Sequence, residues 1–381
     1  MTSSQKRHLT YWEAVAVIVG TVVGAGILGI PYAVAQVGFF VGLGYIVGLG
    51  LVVLSLHILL GAVSARTKES SQLAGMAGKY LGKPGKILMS IAFFLGTYGA
   101  LLAYIIGQGE VLQALFGGSS FVWSLLFFAM GSVVVYRGLK TVKVAELIMM
   151  SILLVAAIVI SIWGAPSIEL SNLAAVGDWK SLLLPYGVVL FAFHGSAAIP
   201  VAEELVRDQK RFKKVILLGG LIPIVLYVVF AAVVVGVTGS ATTEVATVGL
   251  GEFLGPAVLL FGNVFAFFAM GTSFIMLGTA MRETYEWDFR VRPSLAWIAT
   301  IGVPLALFVL GLRSFVQVIS IAGALFISLE AILIVLMYWK STPKSSGKSR
   351  VFALPHAALL SALLLAIFAG AAALSVASLI L

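Results

Sequence analysis

His194 stands in the run Phe193-His194-Gly195-Ser196-Ala197-Ala198-Ile199-Pro200, deep inside an apolar stretch, and is the residue best suited to proton chemistry. A free imidazole titrates near pH 6.5, so it can gain or lose a proton under physiological conditions. Thr272 and Ser273 place two hydroxyls side by side in another apolar run. Hydroxyl oxygens suit a hard cation, although a membrane Ser or Thr commonly bonds to a carbonyl one turn back. A third feature is backbone chemistry. Gly20-Thr-Val-Val-Gly24-Ala25-Gly26-Ile27-Leu28-Gly29-Ile30-Pro31 puts four glycines and a proline into a run long enough to cross a bilayer. Each glycine costs about 1 kcal/mol of helix propensity relative to alanine. Proline also removes a backbone donor where no water replaces it. Irregular backbone is tolerated at that depth only where it lines a cavity or meets a ligand. Unwinding at Gly24-Ala25-Gly26 would present free N–H groups beside a half-helix start, where an anion is favoured. Carbonyls of this break and of the one around His194, with Ser196, would accept from a cation. Close helix packing by small residues is the competing explanation, but it does not account for the second break.

The remaining ionisable residues sort by depth. Glu110 and Glu330 lie deep enough in apolar runs to serve a gate or proton path. Glu13, Glu146, Glu203 and Glu204 fall near run ends and are expected to pair with neighbouring Lys or Arg. His57 is expected to be a satisfied packing residue. Tyr98, Phe191, Phe193 and Met270 are candidates for an apolar side-chain pocket.

The elements that must hold these residues are membrane helices. The 381 residues are 61% hydrophobic and 10% charged, with mean hydropathy +1.12, far from soluble domains. Runs of about 20 apolar residues fall near 12–36, 39–65, 87–116, 120–136, 144–164, 181–205, 215–238, 256–281, 293–311, 314–339 and 351–379. The first is too long for a cleaved signal peptide, contains Pro31 and lacks a small-residue cleavage pattern. The net charge of +9 is topological rather than a nucleic-acid signal. With the N-terminus inside, every one of the 24 lysines and arginines except Lys180 and Arg313 falls in a cytoplasmic segment, as the positive-inside rule requires. The C-terminus is then outside. There are no cysteines, so disulfide and thiolate chemistry are excluded. The 66–86 segment reads as a short interfacial helix or a loop. The 239–255 segment reads as an external cap over a vestibule.

Spans one to five begin inside and spans six to ten begin outside, which is the topology of an inverted repeat. Gly-x-x-x-Ile-Pro occurs at 26–31 and again at 195–200, at matching places in the two halves. Interrupted helices in such positions point to a midplane binding site. The expected architecture is a single all-α transmembrane domain over 1–381. Repeat one covers about 12–164, repeat two about 181–339, and an extra helix about 351–379.

Gly24-Ala-Gly-Ile-Leu-Gly-Ile-Pro-Tyr-Ala33 resembles the helix-one signature of the amino acid/auxin permease group. Phe191-Ala-Phe193-His194-Gly195-Ser196 is similar to the helix-six signature of the bacterial hydroxy and aromatic amino acid permeases, and Thr272-Ser273-Phe274 to their helix-eight pattern. Ile199-Pro200-Val-Ala-Glu203-Glu204-Leu205 departs from that pattern and resembles the eukaryotic-type permeases. The resemblance implies the amino acid–polyamine–organocation superfamily. It also implies the five-plus-five inverted-repeat fold of the bacterial leucine transporter. The substrate site is expected at Gly24, Ala25, Gly26, Ile27, Tyr98, Phe191, Phe193, His194, Gly195, Ser196 and Met270. A sodium site would use the carbonyls of Gly20 and Val23 with Thr272 and Ser273, whereas proton coupling would use His194. No lysine lies mid-span in helix five to replace sodium.

The expectation is a cation-coupled symporter of neutral amino acids, working by alternating access in the cell membrane, with Na+ or H+ as coupling ion and no other cofactor. Its partners are the amino acid and the lipid bilayer, with no nucleic acid and no obligate protein partner. The rival is an ion channel or ion-translocating subunit, which would need a charged ring or a chain of buried ionisable groups. A membrane enzyme would need a metal cluster, a Ser-His-Asp set or a nucleotide loop, and none is legible. A nutrient sensor would need longer tails than these termini supply.

Overall fold

The computed structural model describes residues 3–67, 72–137, 154–206, 208–287, 289–342, 352 and 357–380, and is helical with no strand among them. Apolar runs must satisfy their own backbone in lipid, and the helix does so within one segment. The helices are α1 (Ser3–Val22), α2 (Gly26–Val37), α3 (Phe39–Arg66), α4 (Leu73–Phe116) and α5 (Ser120–Arg137). There follow α6 (Leu154–Ser167), α7 (Leu170–Ala174), α8 (Leu183–Ala192), α9 (Ala198–Leu205) and α10 (Gln209–Thr238). The last are α11 (Ala246–Leu254), α12 (Pro256–Trp287), α13 (Pro293–Val309), α14 (Phe315–Ile321), α15 (Ser328–Ser341) and α16 (Ala357–Ile380). A π-helical turn, Ala322–Ile327, joins α14 to α15.

Helix falls in each of the eleven expected spans. Among the described residues, seven helices are long and apolar enough to cross a membrane, and the bent pair α1–α2 supplies an eighth. The span expected at 144–164 is described only from Leu154 onward. The segment expected at 66–86 as interfacial helix or loop is helical from Leu73 and runs into α4 through a kink at Gly82 (φ 76°). Polar residues set several ends. Asp208 accepts from the Arg211 amide at 2.8 Å to start α10, and Ser314 accepts from Gln317 at 3.1 Å to start α14, as N-caps do.

Two groups of helices form around the breaks. The interrupted pairs α1–α2 and α8–α9 pack on each other and on α3 and α10. Helices α4, α5, α12 and α13 pack together on the other side. The α14–π–α15 rod lies between them, touching α8 and α3 on one side and α4 on the other. The hydrophobic core runs through both groups without interruption.

Candidate functional site

The first break spans Val23–Ala25, and the axes of α1 and α2 differ by 51° across it. In a continuous helix the Gly24 amide would go to the Gly20 carbonyl; here it goes to Val22 O at 2.9 Å. The helix resumes with Leu28 N to Ala25 O at 3.1 Å. The amides of Ala25 and Gly26 are therefore those that a helix start leaves without an internal acceptor. The second break spans Phe193–Ala197. It closes with His194 N to Phe191 O at 3.2 Å and Ala198 N to Gly195 O at 3.0 Å.

The two breaks are in direct contact. A side chain on Gly26 would begin 2.6 Å from the Ala192 Cα, and one on Gly195 would collide with the Val22 side chain. Only glycine permits that approach. Tyr227 of α10, fully buried, joins them chemically. Its hydroxyl lies 2.8 Å from the Val22 carbonyl and 2.9 Å from the Ala192 carbonyl. Both carbonyls end half-helices and carry the negative end of the helix dipole. One shared hydroxyl hydrogen answers both.

On the other face of the second break lies an ionisable cluster. His194 Nε2 is 3.1 and 3.2 Å from the two carboxylate oxygens of Glu330 on α15. The Glu330 side chain is 6% exposed and that of His194 36%. Ser196, also buried, donates to the same carboxylate. His57 of α3 is 2% exposed and acts electrostatically on both His194 and Glu330. The sequence suggested a satisfied packing residue at His57. Instead its Nε2 is buried without a hydrogen-bond partner.

The candidate cation ligands are only partly gathered. Ser273 Oγ lies 3.9 Å from where a side chain on Gly24 would start and is hydrogen-bonded to Tyr104 of α4. Thr272, one residue earlier and so turned about 100° around the helix, donates to Phe268 O at 2.7 Å. A hydroxyl so engaged keeps its lone pairs, and the Gly20 carbonyl has lost its helical donor. The oxygen set is thus chemically compatible with sodium. Among the described residues there is no group of three or more His, Asp or Glu able to hold a metal.

The expected pocket residues separate. Met270 is buried against Gly107 of α4, and Phe191 is half-buried at the end of α8, with its amide against Gly323 of the π turn. The Phe193 ring packs tilted against Tyr227, 4.9 Å between centroids and 56° between planes, on the α3 and α10 side. Tyr98 bonds Tyr285 at 2.8 Å and the Ala299 carbonyl at 2.9 Å, so its hydroxyl serves the α12–α13 packing rather than the breaks. Glu110 lies within electrostatic reach of Glu244, which itself accepts from Ser314 and the Val316 amide. Glu13 and Glu204 are exposed and Glu203 is half-buried; Glu146 lies outside the described residues.

Residues 7–374 match the tryptophan/tyrosine permease family. The chain belongs to that family. Curated relatives agree along most of their length. Tyrosine-specific transport system 1 of Haemophilus influenzae is 28% identical over 359 residues, covering 85% of this chain and 86% of the relative. Glutamine transporter 2 of Aliivibrio fischeri is 26% identical over 341 residues, covering 82% and 84%. Among solved structures, MhsT in complex with L-phenylalanine superposes with TM-score 0.64 at 17% identity, covering 95% of this chain and 96% of MhsT. That likeness establishes the leucine-transporter type of fold. This permease is accordingly an integral multi-pass membrane protein that transports amino acids, and not an enzyme.

Three features of the permease site had no sequence signal. Tyr227 is one of 11 tyrosines in an ordinary apolar run. The π turn has no compositional mark, yet such turns gather at functional sites. The bond between Tyr186 and Ser328 at 2.8 Å joins α8 to α15 across 142 residues.

Proposed function

We propose that this permease is a secondary active symporter of neutral amino acids, working by alternating access around the two helix breaks. The observation that carries this is the contact of the breaks, tied by Tyr227 to the Val22 and Ala192 carbonyls. It leaves the amides of Ala25 and Gly26 for a carboxylate, and carbonyls of the second break for an ammonium. Among the described residues no fixed charge other than the His194–Glu330 pair lies at the breaks, which favours substrates with neutral side chains. The relatives' specificities, tyrosine and glutamine, both fit. The five-plus-five inverted repeat and a cytoplasmic N-terminus complete the reading.

The coupling ion is the proton. His194 is held on a buried carboxylate, and an intramembrane ionisable pair marks an ion path. The alternative, sodium at Gly20, Val23, Thr272 and Ser273, is supported by the freed Gly20 carbonyl and by the position of Ser273. Uptake of radiolabelled L-tyrosine and L-glutamine into proteoliposomes, with proton and sodium gradients imposed separately, tests both. Accumulation driven by an inward proton gradient is expected. Accumulation driven only by sodium overturns the proton assignment, and no uptake of any neutral amino acid overturns the substrate class.

A further inference from the structure

His57 is a sealed imidazole whose Nε2 has no hydrogen-bond partner, set beside the His194–Glu330 pair. Its Cε1 lies 3.5 Å from where a side chain on Gly195 would begin, so the carbon between the two ring nitrogens abuts the second break. The titratable groups acting on it are His194, from the break, and Glu330, from α15. On α10, Tyr227 is engaged by two carbonyls. Glu204 of α9 is exposed at the helix end. Leaving a polar nitrogen buried and unpaired is unfavourable, so a packing role alone would favour an apolar residue here.

The electrostatics of Glu330 supply the reason. When one partner of a buried pair leaves, the remaining charge is strongly unfavourable in low dielectric. His194 sits in the helix break and has an accessible side, whereas Glu330 does not. Any motion of the break that carries His194 away with its proton would strand the carboxylate.

We propose that His57 is the second seat of the coupling proton, occupied in the half of the cycle in which His194 parts from Glu330. The proton leaves His194 nitrogen for a Glu330 carboxylate oxygen and, once movement of the break brings that oxygen within reach of the unpartnered His57 Nε2, forms an N–H bond there. One N–H bond breaks and one forms, no electrons are exchanged, and the trio keeps its net charge. His194 then departs neutral, and Glu330 is never left without a positive or protonated partner. His57 is a positioning and relay residue, not a substrate ligand. This inference rests on the proton-coupled reading above.

The test is the ratio of L-tyrosine uptake with and without an imposed inward proton gradient, in wild type, His57→Gln and His194→Gln proteoliposomes. A relay predicts that the ratio falls from severalfold to about one in His57→Gln, as in His194→Gln. A structural role lowers both uptakes together and leaves the wild-type ratio, which overturns the relay. A wild-type ratio of one overturns the proton-coupled reading itself, with the relay. Should neither His57→Gln nor His57→Asn reconstitute, 15N-histidine spectra of the wild-type protein decide. The His57 nitrogens are expected to shift on adding L-tyrosine between about pH 5 and 8, and unchanged resonances overturn the proposal.

Discussion

The two helix breaks look alike in sequence and differ in chemistry. The first, Val23–Ala25, is three residues of small or apolar side chains and offers only backbone. The second, Phe193–Ala197, is two residues longer and sets an imidazole and a hydroxyl on the Glu330 carboxylate. Backbone amides and carbonyls do not titrate, so they can grip the constant ends of a zwitterion at any pH. A coupling site must change its charge, and a changing charge in low dielectric needs a kept partner. On the proposed reading the two tasks are separated along one contact, with Gly26 and Ala192 as the seam.

Opening that seam should have the largest effect. Gly26→Val places a branched side chain where a Cβ already lies 2.6 Å from the Ala192 Cα. Overpacking of this kind costs about 1–3 kcal/mol, up to on the order of a hundredfold in affinity. L-tyrosine uptake should fall accordingly. Gly24→Ala, two residues away, meets only Ser273 Oγ at 3.9 Å and should keep most of its activity. Equal losses in the two variants would mean that the contact is not what holds the site.

Next comes the hydroxyl that joins the breaks. Tyr227→Phe keeps the ring and its tilted contact with Phe193 but removes the donor from two buried carbonyls, worth about 1–3 kcal/mol. The variant should denature at lower temperature in detergent and bind L-tyrosine more weakly, with KM rising more than kcat falls. A wild-type KM and unfolding temperature together would reduce Tyr227 to an incidental contact.

How much of this could be read beforehand follows from the range of each interaction. The breaks were legible because glycine and proline in lipid have a local cost that needs a local reason, at Gly24–Pro31 and Gly195–Pro200 alike. His194 and Glu330 were each singled out by the sequence, since an ionisable residue at that depth is expensive. Their pairing was not, because 136 residues separate them and nothing local specifies the partner. Tyr227 was hidden for the same reason, being polar at a single atom on an apolar body. His57 was misread because a buried histidine is ordinarily satisfied, and only the packing around Gly195 reveals that this one is not. Tyr98 was expected in the pocket from its span alone. The rotation of α4 turns its hydroxyl to Tyr285 instead.

The smallest predicted difference separates the two adjacent hydroxyls of α12. Thr272 donates to Phe268 O, a bond within its own helix, and Thr272→Ala should change uptake by no more than about 0.5 kcal/mol, as for substitutions away from special features. Ser273 faces Gly24 and Tyr104. Ser273→Ala should raise the KM for L-tyrosine by roughly fivefold, the worth of one hydrogen bond of about 1 kcal/mol. Both effects should be the same with sodium or choline as the bulk cation. A Thr272→Ala loss that appears only in sodium would have a different meaning. A hydroxyl whose hydrogen is already given to Phe268 can act outward only through its lone pairs. A sodium-specific loss would place a cation on those lone pairs and move the coupling chemistry from the second break to the first.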